Sequence, residues 1–196
     1  VDDVDALAEA DLAVLVNPNN PDGRIVERGR LLRLAARLRA KGGLLVADEA
    51  FMDVGPAAES LTGDVGQGGI VVLRSFGKFF GLAGVRLGFA LADTLTVQRL
   101  ETQFGPWAVA GPALEYGIRA LADSGWQADM RRRLAEDAAR LDALFARFGI
   151  AVAGGTTLFR YLRMPDAAVL FSALCERGIL LRHFADRRQV LRAVLP

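Results

Sequence analysis

The stretch Ser75-Phe-Gly-Lys78-Phe-Phe-Gly-Leu-Ala-Gly-Val-Arg86-Leu-Gly-Phe89 carries one of only two lysines among 24 basic residues, the other being Lys41. Everywhere else the chain uses arginine as its cation. Arginine cannot replace lysine where the chemistry needs a deprotonatable primary amine, because guanidinium stays charged at any workable pH. A lysine kept in a Gly- and Phe-rich loop points to covalent amine chemistry, such as a Schiff base to an aldehyde. The plain alternative is a loop lysine in an arginine-biased chain. The flanking sequence decides between them.

Immediately before this stretch lies an apolar run at residues 70–73, and two similar runs stand at 13–16 and 44–47. Each is uniformly apolar rather than alternating, which predicts strands covered on both faces in a parallel sheet. Between the first two, residues 26–40 place Leu31, Leu34, Ala35 and Leu38 on one helical face, with Arg30, Arg33 and Arg37 off that stripe. This is an amphipathic crossover helix in a βαβ unit. The connection from 47 to 70 has room for only a short helix. Residues 88–92 read as a further strand of undetermined direction. Beyond Thr94 the texture is helical, with helices expected at 112–122 and 127–148. In the second, Met130, Leu134, Leu141, Phe145 and Phe148 share a face, and Gly149 stops it. A small αβ layer follows, with strands near 158–162, 179–183 and 190–194 and a helix near 166–177.

In open α/β sheets ligands bind beyond the carboxyl ends of the strands. The residues that follow the three runs are therefore the ones to inspect: Asn17-Pro-Asn-Asn20-Pro-Asp-Gly23, Asp48-Glu-Ala-Phe51, and Ser75 with the lysine loop. All three converge at one sheet edge. Composition narrows the function further. The 196 residues are 52% hydrophobic and 24% charged, as expected of a folded globular chain. A net charge of +1 gives no electrostatic case for nucleic acid or an anionic membrane. The single cysteine, Cys175, allows no internal disulfide and fits a reducing cytosol. No apolar run approaches membrane-spanning length.

The order N-P-N-N-P-x-G, D-E-A-F, then S-x-x-K with Arg eight residues later resembles the fold-type-I pyridoxal-phosphate enzymes. Within them it is similar to the histidinol-phosphate aminotransferase and threonine-phosphate decarboxylase branch, including its cobalamin-biosynthesis decarboxylase-like members. The resemblance continues through Pro106-Trp-Ala-Val and Gly154-Gly-Thr-Thr-Leu-Phe and so spans essentially the whole chain. It implies an α/β fold in two parts. Residues 1–123 would form a partial cofactor-binding large domain, a mainly parallel sheet with crossover helices. Residues 124–196 would form a smaller C-terminal α+β domain, incomplete at its end.

By this resemblance the cofactor is pyridoxal 5'-phosphate and Lys78 is its covalent partner and the catalytic acid or base. Burial among Phe76, Phe79 and Phe80, with Arg86 near, would favour the neutral amine. Asp48 would face the protonated pyridine nitrogen; its alternative is a loop or helix-cap carboxylate. Asn20 would bond the ring oxygen, although Asn-Pro-Asp-Gly is also ordinary turn chemistry. Ser75 and Arg86 would hold the phosphate, Arg86 being otherwise an exposed strand-edge cation. Arg182 and Arg192 would take the substrate's carboxylate and phosphate; the alternative is a pair of solvent-facing strand arginines. No metal is implied. His183 has no assigned role beyond a partly buried structural one, and Cys175 is expected in the core beside Leu170 and Leu174.

The activity implied is decarboxylation of a phosphorylated amino acid, L-threonine O-3-phosphate, in cobalamin biosynthesis, in the cytoplasm and by a homodimer in the complete protein. Phe51 stands where many aminotransferases of this class have tyrosine, which favours decarboxylation over the alternative of a histidinol-phosphate-type aminotransferase. The chain begins at Val1 rather than Met and ends at Pro196, and the family's N-terminal third has no counterpart. A fragment is expected, and with it weak or absent cofactor binding and activity by this chain alone. A catalytically silent fragment is the non-enzyme alternative. A Rossmann-type nucleotide binder is disfavoured, because no G-x-G-x-x-G follows the first strand.

Overall fold

Strand β1 (Leu12–Val16), helix α1 (Arg28–Ala40), β2 (Leu44–Asp48), β3 (Ile70–Ser75) and β4 (Gly88–Leu91) succeed one another in a computed structural model that describes residues 3–195. They form one sheet in the order β1-β2-β3-β4. The first three strands are parallel, with Val16 opposite Asp48 and Asp48 opposite Leu73. β4 runs antiparallel to β3 and brings Gly88 opposite Ser75. α1 lays Leu31, Leu34, Ala35 and Leu38, all buried, on Leu45, Ala47, Ile70 and Val72. Burying each such leucine contributes about 2 kcal/mol, so this stripe is the main reason the sheet forms.

The expectation of strands covered on both faces holds at the start of β3, where Ile70, Val71 and Val72 are all buried, but not along β1 and β2. Burial alternates along β1 and β2, and on the face away from α1 Leu12 and Val14 are 55% and 59% exposed. Uniformly apolar composition reports which faces suit burial, not which faces this chain itself covers.

The connection from β2 to β3 holds three short 3-10 turns, Met52–Val54, Ala57–Glu59 and Val65–Gln67, rather than an α-helix. Buried Asp64 fixes it, accepting from Arg28 Nε at 2.8 Å and Nη2 at 2.5 Å. Helices α2 (Thr94–Phe104) and α3 (Gly111–Ala122) follow β4. α2 starts at Asp93, whose carboxylate accepts the Leu95 and Thr96 N–H groups and the Thr96 hydroxyl.

The chain divides into two compact units, one of residues 1–19 and 25–123, the other of 20–24 and 124–196. The second contains α4 (Ser124–Arg147), β5 (Val152–Thr156), β6 (Phe159–Arg163), α5 (Ala167–Cys175), β7 (Arg182–His183) and β8 (Val190–Val194). Its sheet is antiparallel throughout, in the order β5-β6-β8-β7. Leu162, Ala167 and Leu191 form its core with Phe145, Ile150, Leu170 and Phe171 packed around them. Phe148, expected on the packed stripe of α4, is 71% exposed, and Cys175, expected in the core, is also exposed. Phe148 lies just past the end of α4, and Cys175 is the last residue of α5.

Segment 20–24 clings to β5 through glycines. A Cβ on Gly23, whose φ is +73°, would stand 2.2 Å from the Gly155 carbonyl oxygen, and one on Gly154 would stand 2.3 Å from that of Asp22. Only glycine permits this backbone contact.

Candidate active site

Four of the expected residues leave the first unit's sheet at one edge. Asp48 ends β2, and its Oδ1 accepts the Ala50 N–H at 3.0 Å, which turns the chain at the strand end. Ser75 ends β3, and its Oγ accepts the Gly77 N–H at 3.1 Å. The parallel ladder continues one step past β2, with the Glu49 N–H donating to the Leu73 carbonyl at 2.9 Å, so both turns start side by side. Arg86 precedes β4 in the left-handed conformation, φ 58° and ψ 43°, and its Nη1 donates to the Ala83 carbonyl at 3.0 Å. It makes no salt bridge among the described residues.

Lys78 differs from its expected setting. Phe76 and Phe79 are buried, whereas Lys78 itself is exposed. Its Nζ stands 5.4 Å from the centre of the Phe51 ring, on the turn that follows Asp48. Phe76 instead stacks on Phe80, with ring centres 4.3 Å apart. Aromatic side chains hold the loop from below and leave the amine at the surface of the strand-end region. A cavity of about 370 Å³ nearby is lined by Arg74, Ser75, Phe76, Phe80 and Phe89 among others, but by neither Asp48 nor Lys78.

The second unit gathers the remaining three. Arg182 and Arg192 lie directly opposite each other on β7 and β8. Arg192 Nη1 donates to Asn20 Oδ1 at 2.6 Å, and its Nε is buried without a partner. Burial first, and the charge of Arg182 second, hold the Arg192 guanidinium below its usual pKa. Neither arginine forms a salt bridge among the described residues. Like charges directly opposite on neighbouring strands disfavour the fold, and an unpaired buried guanidinium N–H does so too. An added anion beside the pair would relieve the repulsion. His183 is half-buried beside Phe171, with ring centres 5.5 Å apart.

Sequence reasoning missed a buried cluster behind the first unit's site. Glu49, fully buried, accepts from the Leu61 N–H at 2.7 Å, the Ser60 hydroxyl at 2.6 Å and Arg74 Nη1 at 3.4 Å. Arg74 also bonds Asp53. A signal existed: Glu49 and Arg74 each sit two residues beyond core positions, Ala47 and Val72, on strands of matching phase.

The donor set suits a phosphorylated aldehyde with a basic ring nitrogen. It offers a primary amine, a strand-end carboxylate, and a hydroxyl and guanidinium with no acidic partner. Among the described residues no cluster of His, Cys, Asp and Glu could hold a metal, and no helix is long and apolar enough to cross a membrane.

Comparison with known proteins agrees with this chemistry. Residues 2–191 match the family described as aminotransferase class I and II. A threonine-phosphate decarboxylase of Pseudomonas aeruginosa is 47% identical over 190 residues, 97% of this chain and 57% of that protein. The crystal structure of histidinol-phosphate aminotransferase from Sinorhizobium meliloti in complex with pyridoxal-5'-phosphate superposes with a TM-score of 0.84. It is 25% identical, over 96% of this chain and 54% of that one. The structure of L-threonine-O-3-phosphate decarboxylase from Porphyromonas gingivalis gives 0.77 at 26% identity, over 94% and 59%. The chain thus spans little more than half the length of the relatives it matches.

Proposed function

The chain belongs to the aminotransferase class I and II family, and from that premise we propose that it is the core of a pyridoxal-phosphate-dependent decarboxylase acting on L-threonine O-3-phosphate in cobalamin biosynthesis. When bound, the cofactor supplies an aldehyde and a protonated ring that accepts the electron pair left by departing carbon dioxide. The chain's own residues do the rest. The Lys78 amine holds the cofactor and returns a proton to the substrate's α-carbon. The Asp48 carboxylate keeps the ring nitrogen protonated, and Ser75 and Arg86 donate to the phosphate. With its Oδ1 taken by Arg192, Asn20 has its Nδ2 to donate to the ring oxygen. Arg182 and Arg192 take the substrate's anionic groups.

On this reading residues 1–123 are the cofactor-binding domain and 124–196 the small domain. The protein would be a cytoplasmic homodimer, with exposed Phe104, Trp107 and Ile118 (67–91% accessible) available for an interface. Phe51 favours decarboxylation over transamination, because it packs under the lysine without offering the cofactor a hydroxyl.

The observation that carries the proposal is the Lys78 amine standing over Phe51 on the turn that begins at Asp48. The test is borohydride reduction in the presence of pyridoxal phosphate, followed by peptide mapping of the gene product that carries this sequence. Label at Lys78 and not at Lys41 is expected; equal label at both lysines would refute the assignment. Carbon dioxide release from O-phosphothreonine without an oxo-acid acceptor separates decarboxylation from transamination.

A further inference from the structure

We propose that Glu49 and Arg74 are positioning residues of the cofactor site, a part-buried ion pair that fixes the spacing of the two strand ends from which Asp48 and Ser75 project. This rests on the cofactor reading above. Side chains alternate between faces along a strand. Ala47, Glu49, Val72 and Arg74 therefore share the α1 face, while Asp48 and Ser75 turn to the other. Each positioning residue is the chain neighbour of a cofactor residue: Glu49 follows Asp48, and Arg74 precedes Ser75. The Glu49 carboxylate spans both strands. Through Arg74 Nη1 at 3.4 Å it holds β3, and its backbone N–H donates to Leu73 of the same strand. Through the Ser60 hydroxyl and the Leu61 N–H it also holds the loop behind them. Arg74 in turn ties in Asp53, two residues beyond the Phe51 ring that carries the lysine amine.

Hydrophobic packing alone would close this end of the sheet, as it does further down at Leu45 and Val72. A carboxylate with no solvent access is costly to place there. What it adds is direction: charged hydrogen bonds fix angle and register where apolar contacts tolerate slippage. A site that must grip a rigid ring and a phosphate at once requires positions held to about 0.5 Å. The same end of the sheet supplies the ring partner from β2 and the phosphate ligand and lysine from β3, so their separation is the quantity the ion pair controls.

The test makes Glu49→Gln and Ser60→Ala in the whole gene product that carries this sequence and compares each with that unsubstituted protein by pyridoxal-phosphate titration, by the pH dependence of the bound cofactor's visible absorbance, and by urea unfolding without cofactor. Glu49→Gln keeps size and part of the hydrogen bonding; Ser60→Ala removes the hydroxyl's bonds to Glu49 and Thr62 and leaves the ion pair, so the two variants perturb the site differently. Cofactor affinity should fall on the order of tenfold in Glu49→Gln, the scale at which outer contacts act, and by less in Ser60→Ala. The absorbance midpoint should shift in the first. A purely stabilising role would lower the urea midpoint and leave both the affinity and the spectral midpoint of the folded protein unchanged, which would overturn the inference. If the unsubstituted protein fails to label at Lys78, the cofactor reading falls and this inference with it. If Lys78 labels and both variants match the unsubstituted protein in affinity and spectrum, only the inference falls.

Discussion

Replacing Arg182 by glutamine should leave the protein as stable as before without an anion and less stable with one, a reversal that an ordinary structural arginine would not produce. Arg182 and Arg192 occupy opposite positions on β7 and β8. Charges so placed, about 6 Å apart, repel by ~0.7 kcal/mol at the dielectric of water and ~3 kcal/mol at an effective value near 20. Arg182 is exposed, so solvent and salt screen the pair and the lower figure applies. Against that relief stands the loss of its contact with the Phe184 ring at 5.7 Å, worth about 0.5 kcal/mol at an exposed site. The two nearly cancel, and Arg182→Gln without ligand should lie within about 0.5 kcal/mol of the parent.

Saturating O-phosphothreonine at about a hundred times its dissociation constant should stabilise the parent by ~2.7 kcal/mol. A tenfold weaker variant would gain ~1.4 kcal/mol less. Urea unfolding followed by Trp126 fluorescence in a Trp107→Phe background reads the second unit specifically, since Trp126 lies in α4 and Trp107, 91% exposed, carries no packing. Sodium chloride at matched ionic strength is the control. A variant destabilised by more than about 1 kcal/mol without ligand, or stabilised by phosphothreonine as much as the parent, would refute the assignment of this pair as an anion site.

Gly154→Ala should cost about 1–3 kcal/mol in urea unfolding, because the new methyl meets the Asp22 carbonyl at 2.3 Å and backbone cannot step aside; Gly63→Ala, which meets nothing within 4 Å, should change little. Asp93→Ala removes the α2 cap and should cost about 1 kcal/mol at neutral pH. Hydrogen bonds from Thr96 lower the Asp93 pKa, so its contribution is present above the ordinary carboxylate range and is lost as pH falls through the depressed value. The gap between parent and variant in a pH series of melts should therefore close in acid.

The strand ends were legible in the sequence because two independent rules meet there. An apolar run followed at once by a polar residue marks where a strand leaves the core, and in a parallel sheet those exits lie on one edge. That was enough to bring Asp48, Ser75 and Lys78 to the same place, and arginine's inability to serve as an amine singled out the lysine. What stayed hidden depended on pairing. β5 was missed because Gly154 and Gly155 offer no apolar or β-branched side chain to mark a strand, and their reason for being there is the segment 20–24 packed against them. α2 was not delimited because its start depends on the Asp93 cap more than on an apolar stripe; none of its residues is buried. The exposure of Lys78 was misjudged because neighbouring phenylalanines in sequence pack beneath the loop rather than around the amine.

Glu49 and Arg74 make the same point from the other side of the sheet. They lie 25 residues apart, and only the parallel register that sets Asp48 opposite Leu73 makes them the next facing pair. Period-two alternation then sorts the strand ends into two functions: residues turned away from α1 carry the proposed chemistry, and those turned towards it carry the charges that hold it. Motif reading finds the first set, since chemistry needs particular residue types at particular places. The second set is visible only once it is known which strand lies beside which.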